Sequence, residues 1–221
     1  MKGVAPVSPE APGIDVLGRF ESLGDNCEFG FVQRQLGLES GGLFRWSVTS
    51  ATSLITLLET RFEDLYRFEN LVPTNSKNMI RDTATDIGFH TEMSVTGGSF
   101  DQDEETRRAI YAKERLKIDY LIEKMISRLE DPQTIFVQKA QWGIDERDIR
   151  RLITQLRRYS KCSLLHVSVS AQKELWGTIE QPEPGVMLGY LDRFAPWSQA
   201  DHVSLDHWKS LIKEAATQIT P

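Results

Sequence analysis

The sequence contains no apolar run near the ~20 residues that a membrane-crossing helix requires, so a membrane-spanning chain is not expected. Cysteine is scarce. The two present, Cys27 and Cys162, cannot build a disulfide framework, and the opening thirteen residues hold one Lys, three Pro and no apolar core, unlike a secretory signal. A reducing cytoplasm is therefore the expected compartment. Positive charge is also short: 26 Lys and Arg stand against 32 Asp and Glu, a net charge of −6. A nucleic-acid binder needs a basic stripe. The nearest candidate, Arg147, Arg150, Arg151, Arg157, Arg158 and Lys161, is interrupted by Asp145, Glu146 and Asp148 and reads as a solvated helix face. Glycine is missing where nucleotide binding would want it: Gly18 to Gly24 carries neither the dinucleotide fingerprint nor a Gly-Lys-Ser/Thr. The four histidines and two cysteines show no zinc spacing. No metal or other cofactor is expected, and oligomeric state is not legible.

What is present is an ordinary globular composition, 40% hydrophobic and 26% charged over 221 residues, enough for one sizeable core. Residues 1–13 read as a flexible lead-in and 14–221 as one α/β domain. Ile14 to Gly24 is strand-like, and Asp25 or Asn26 then caps a helix from about Cys27 to Leu36. Asp25 and Glu28 have capping-box spacing, and Gly37 marks the stop. A second helix runs from Ser50 to Phe62. Val72 to Asp86 is irregular, a lid or an inserted hairpin. Ile87 to Val95 alternates as a strand, with Ile87, Phe89, Met93 and Val95 on one face and His90 and Glu92 on the other. A long helix covers about Asp103 to Leu129 and ends at Asp131-Pro132. Strands at Thr134–Val137, Ser163–Val169 and Val186–Leu191 alternate with a helix capped by Asp145 and a last helix from near Ser204. Short apolar strands alternating with amphipathic helices predict a three-layer α/β fold, its mostly parallel central sheet covered by helices on both faces.

Chemistry concentrates at Cys27. A cysteine in the first turn of a helix that follows a strand meets unpaired amide N–H groups and the positive end of the helix dipole, which favour thiolate. The same amides, with the Asn26 side chain, would stabilise an oxyanion. A small apolar residue packed under the helix is the competing reading of the same position. Among the histidines, His90 shares the polar face of its strand with Glu92. His166 reads as a buried imidazole, and His202 and His207, beside Asp201 and Asp206, as capping or surface residues. Cys162 reads as structural.

Three blocks, Ser22-Leu23-Gly24-Asp25-Asn26-Cys27, Gln33-Arg34-Gln35-Leu36-Gly37-Leu38 and Leu43-Phe44-Arg45-Trp46, resemble the bacterial family of papain-like cysteine peptidases. That family opens on a Ser-Leu-Gly-x-Asn-Cys run, followed by an Arg-x-Leu-Gly helix end and a Pro-Phe-Asp-Trp-like turn. The resemblance implies a hydrolase or acyltransferase with Cys27 as nucleophile and a downstream histidine, most naturally His90, as base. Asn26 and the helix amides would hold the oxyanion. Asp25 would fix the turn, and Arg45 and Trp46 would line the pocket for a small-molecule, peptide or glycan substrate. Arg45 stands where the family's turn usually has an acid. Two other readings remain open. The layout is similar to that of SGNH esterases, with a Gly-Asp block after the first strand and Asp-His pairs, Asp201-His202 and Asp206-His207, before the last helix. Alternatively, Gly24 to Glu28 with Arg45 and Trp46 would form a non-catalytic anion- or sugar-binding site.

Overall fold

A computed structural model describes residues 11–141 and 143–218; residues 1–10 of the expected lead-in lie outside them. The chain forms mixed α/β structure around a five-stranded sheet. In chain order this sheet contains β1 (Phe20–Ser22), β8 (Ile135–Lys139), β9 (Ser163–Val169), β10 (Ile179–Glu183) and β11 (Val186–Leu191). The spatial order is β1-β8-β9-β11-β10, and every neighbouring pair is parallel except β10 with β11. All five residues of β8 are buried, as expected of a strand covered on both faces. Alternate side chains divide between two cores. Ile135, Val137, Leu165, Val167 and Met187 cluster with Phe29 and Val32 of α2 (Glu28–Gln35) and Trp208, Leu211 and Ile212 of α6 (Leu205–Thr217). Phe136, Leu164 and Val186 cluster with Leu152, Ile153 and Leu156 of α5 (Glu146–Leu156) and Ile118 to Leu129 of α4 (Glu104–Glu130).

Helix starts follow side-chain chemistry. Ser50 accepts the Ser53 N–H at the head of α3 (Ala51–Glu59), Asp103 accepts that of Thr106 at α4, and Asp145 accepts that of Asp148 at α5, each satisfying an otherwise unpaired amide.

Two expectations change, and of the two readings of Val72 to Asp86 the hairpin is the one found. Ile14 to Gly24 is not one strand: Ile14–Leu17 forms a helical turn, α1, and only Phe20–Ser22 pairs in the sheet. The apolar run was too short for periodicity to separate helix from strand. The irregular stretch after Val72 is a hairpin: β3 (Leu71–Pro73) pairs with β4 (Met79–Asp82), and β5 (Ile87–His90) and β2 (Ser47–Val48) complete an antiparallel sheet in the order β2-β5-β4-β3. The strand expected to run to Val95 stops at His90. The Glu114 carboxylate of α4 takes the Thr91 hydroxyl and the Glu92 N–H, and Thr91 Oγ1 accepts the Met93 N–H. These bonds pull the backbone out of the ladder, and Val95–Thr96 (β6) pairs separately with Ser99–Phe100 (β7).

Candidate active site

The site is built where β1 ends. After Ser22, two consecutive residues take positive φ, Gly24 at 87° and Asp25 at 83°. Glycine is required at the first: a Cβ there would lie 2.2 Å from Thr49 Oγ1. That hydroxyl sits on the spot because it accepts the Asp25 N–H at 2.9 Å and donates to the Leu23 carbonyl at 2.8 Å. For Asp25 the left-handed conformation costs about 1–2 kcal/mol. It is held by its side chain, which accepts from Lys139 Nζ at 2.7 Å and from the Gln141 N–H at 3.2 Å. The expected capping box therefore does not form, because Asp25 is turned toward β8. Asn26 Oδ1 instead accepts the Glu28 N–H at 2.9 Å, and Cys27 occupies the N-cap position of α2.

The turn delivers Cys27, half-buried, to the sheet end, and His90 reaches it from the last position of β5. Cys27 Sγ lies 3.6 Å from His90 Nε2, within the range expected of an unliganded thiol–imidazole pair. For Nε2 to accept the thiol proton, the ring proton must sit on Nδ1. Cys27 is the polar partner of the His90 ring among the described residues; no carboxylate orients it.

Burial governs both groups. It pushes the Cys27 thiol above its ordinary value, with the Lys139 ammonium pulling the other way, and it lowers the His90 imidazole. Both shifts favour the uncharged forms, thiol and imidazole, and so oppose the thiolate that the helix dipole would favour. The reason is burial: removing the sulfur from water penalises its charged form by more than the Lys139 ammonium offsets.

Asn26 is 4% exposed, and its Nδ2 has no hydrogen-bond partner among the described residues. It lines, with Cys27, His90, Phe31, Trp46 and Trp197, a cavity of about 370 Å³. A buried amide donor left unpaired costs ~1–3 kcal/mol, and here it belongs to a residue that lines the same cavity as Cys27. A second cavity of about 520 Å³, floored by Leu43, Phe89 and Leu121, shares His90 and Trp46 with the first. Cys27 lines the first cavity, and His90 lines both.

Trp46 lines both cavities, as expected of a pocket residue, and is flanked by Arg34 and Arg45, whose guanidinium carbons lie 4.7 Å and 5.0 Å from the ring centre. Arg45 and Asp25 do not line them. Arg45 is 2% exposed and donates to the carbonyls of Gly30, Leu38 and Ser40, tying the turn before Trp46 to α2. Gly30 permits that approach, since a Cβ there would meet the Arg45 carbonyl at 2.8 Å. Both residues shape the site and leave its surface to others. The esterase-like base is likewise engaged elsewhere: His207 Nδ1 lies 2.9 Å from Asp192 and 3.0 Å from Ser204 at the start of α6, while His202 is exposed. His166 is buried against Gln138, and burial lowers it to about 4. Among the described residues, no group of three or more His, Cys, Asp or Glu could hold a metal ion, and no helix is long and apolar enough to cross a membrane.

Sequence reasoning missed Thr49, Lys139 and Trp197. Only Lys139 carried a signal, as a charged residue ending an apolar strand that points toward the end of the sheet where ligands bind. No family model, curated protein or solved structure matches the chain.

Proposed function

We propose that the chain is a cysteine-dependent hydrolase or acyltransferase acting on an amide or ester of a peptide, glycan or other small substrate. The observation that carries this reading is the 3.6 Å contact between Cys27 Sγ and His90 Nε2 inside a cleft. His90 takes the thiol proton as Sγ attacks the substrate carbonyl carbon, and the carbonyl electron pair moves onto oxygen. The unpaired Nδ2–H of Asn26 supplies a donor for that oxyanion. Collapse of the tetrahedral species expels the amine or alcohol, which takes its proton from the His90 imidazolium, and leaves a thioester on Cys27. Water, or an acceptor hydroxyl or amine, then attacks the thioester with His90 as base, releasing the acyl group and restoring the thiol. We read the fold as three layers, on the strength of the two clusters filled by alternate strand residues. The free thiols of Cys27 and Cys162 suit a reducing cytoplasm.

The test is a screen of p-nitrophenyl esters, acyl thioesters and peptides. Cys27→Ser and His90→Ala should each abolish turnover, and Asn26→Ala should lower kcat by ~10²–10³-fold. Alkylation of Cys27 by iodoacetamide, which forms no oxyanion, should survive Asn26→Ala. Because burial lowers His90 below 6.5, the base stays neutral through neutral pH. The rate should therefore fall only on the acid side, at a midpoint under 6.5. Turnover that persists in Cys27→Ser would remove the nucleophile from the scheme.

A further inference from the structure

The turn that carries Cys27 contacts a charge that the scheme above does not use. Lys139 ends β8, and its side chain is 1% exposed. Its Nζ lies 2.7 Å from Asp25 Oδ2, 3.3 Å from Glu28 Oε2 and 3.4 Å from Gln141 Oε1, and 4.4 Å from the centre of the Phe194 ring. Asp25 and Glu28 bracket Cys27 in sequence, on the turn and on α2, so one ammonium grips the turn on both sides of the nucleophile. Glu28 is fully buried and accepts from Trp208 Nε1 at 3.2 Å, linking the group to α6.

A buried charge cluster of this kind is a poor stabiliser. Desolvating the ions costs several kcal/mol each, and well-packed apolar residues of similar volume often hold a fold as well or better. Its position at the turn where Gly24 and Asp25 both take positive φ suggests a use other than stability.

We infer that Lys139 is a positioning residue for Cys27: it locks the Asp25–Glu28 turn that aims the sulfur at His90, and its charge stabilises the thiolate formed as His90 takes the proton. The inference rests on the hydrolase reading. The charged and titratable groups concerned are Asp25 on the turn, Glu28 on α2 and His90 on β5. Burial raises Glu28, and Lys139 opposes that shift just as it opposes the shift of Cys27. No bond is made or broken at Lys139, and its proton stays in place.

The experiment measures iodoacetamide alkylation of Cys27 against pH, read by mass spectrometry with Cys162 as internal reference. Lys139→Met strands two carboxylates and risks unfolding, so Lys139→Met/Glu28→Gln is measured beside it, with Glu28→Gln alone as control. Gln keeps an acceptor for Trp208 and removes the more deeply buried of the two stranded charges, leaving Asp25 with the Gln141 N–H. In the folded double variant the alkylation midpoint should move up by about one unit, slowing reaction about tenfold below the midpoint, and turnover should fall with it. A purely structural Lys139 would change the melting temperature and leave the midpoint where it was, which would overturn this inference alone. A wild-type Cys27 that reacts no differently when His90→Ala is introduced would sink the hydrolase reading first, before any Lys139 variant is compared.

Discussion

Glu21 offers a quantitative check on the electrostatics under the site. It lies on β1 opposite Phe136, 8% exposed, with Oε2 3.7 Å from Arg128 Nε and with Lys124 and Arg45 nearby. Burial raises its carboxyl from 4.5 to about 7, and the three cations only partly offset that rise. The folded protein therefore holds a proton that the unfolded chain has lost between those two values. Such a group contributes stability that is present in full below pH 4.5 and is lost as pH rises through about 7. At about 1.36 kcal/mol per unit, the loss amounts to about 3 kcal/mol. Glu21→Gln keeps the shape and removes the titration. Relative to wild type, the variant should gain about 3 kcal/mol between pH 4.5 and pH 8, roughly 6–12 °C in melting temperature for a chain of this size. Urea unfolding of both proteins at pH 4.5, 6, 7 and 8 measures that difference directly, and titrations common to both, such as that of His166, cancel. A difference that does not change with pH would show that Glu21 is not perturbed. A difference that shrinks as pH rises would show that Arg128 pairing outweighs burial, reversing the argument.

Gly24→Ala should destabilise the fold by about 3 kcal/mol, from the left-handed backbone and the loss of the Thr49 hydrogen bonds. Denaturant unfolding measures it, and adding Thr49→Ala should cost less than the sum of the two single changes because the same contacts are lost. Arg45→Ala should cost about 3 kcal/mol or more, since it removes a buried guanidinium and its hydrogen bonds to the carbonyls of Gly30 and Leu38. Affinity for acidic sugars should not depend on it, because its guanidinium faces those carbonyls; a specific loss of such binding in a folded variant, followed by calorimetry, would return Arg45 to the pocket.

Local chemistry set much of the framework. Ser163–Val169 and Val186–Leu191 have the bounds that their apolar runs suggest, and Asp145 caps its helix. The strand–glycine–helix junction at Gly24 to Cys27 is visible in the residue order, while the partners that hold it, Thr49, Lys139 and Gln141, are distant in sequence. The edge strand Ile179–Glu183 was not visible: it is mostly exposed and carries Pro182, so neither apolar alternation nor composition marks it. Long-range geometry decided the site. His90 stands 63 positions from Cys27, and only the pairing of β5 with β2 and β4, together with Glu114 ending β5 at His90, brings its ring to the sulfur. Arg45 shows the converse. Its residue type suited a pocket, but the carbonyls of Gly30, Leu38 and Ser40 claimed its guanidinium. Burial, which no stretch of sequence specifies, pushes the Cys27 thiol up despite its helix-terminal position, and the folded chain gives the buried Lys139 Asp25 and Glu28 as its partners.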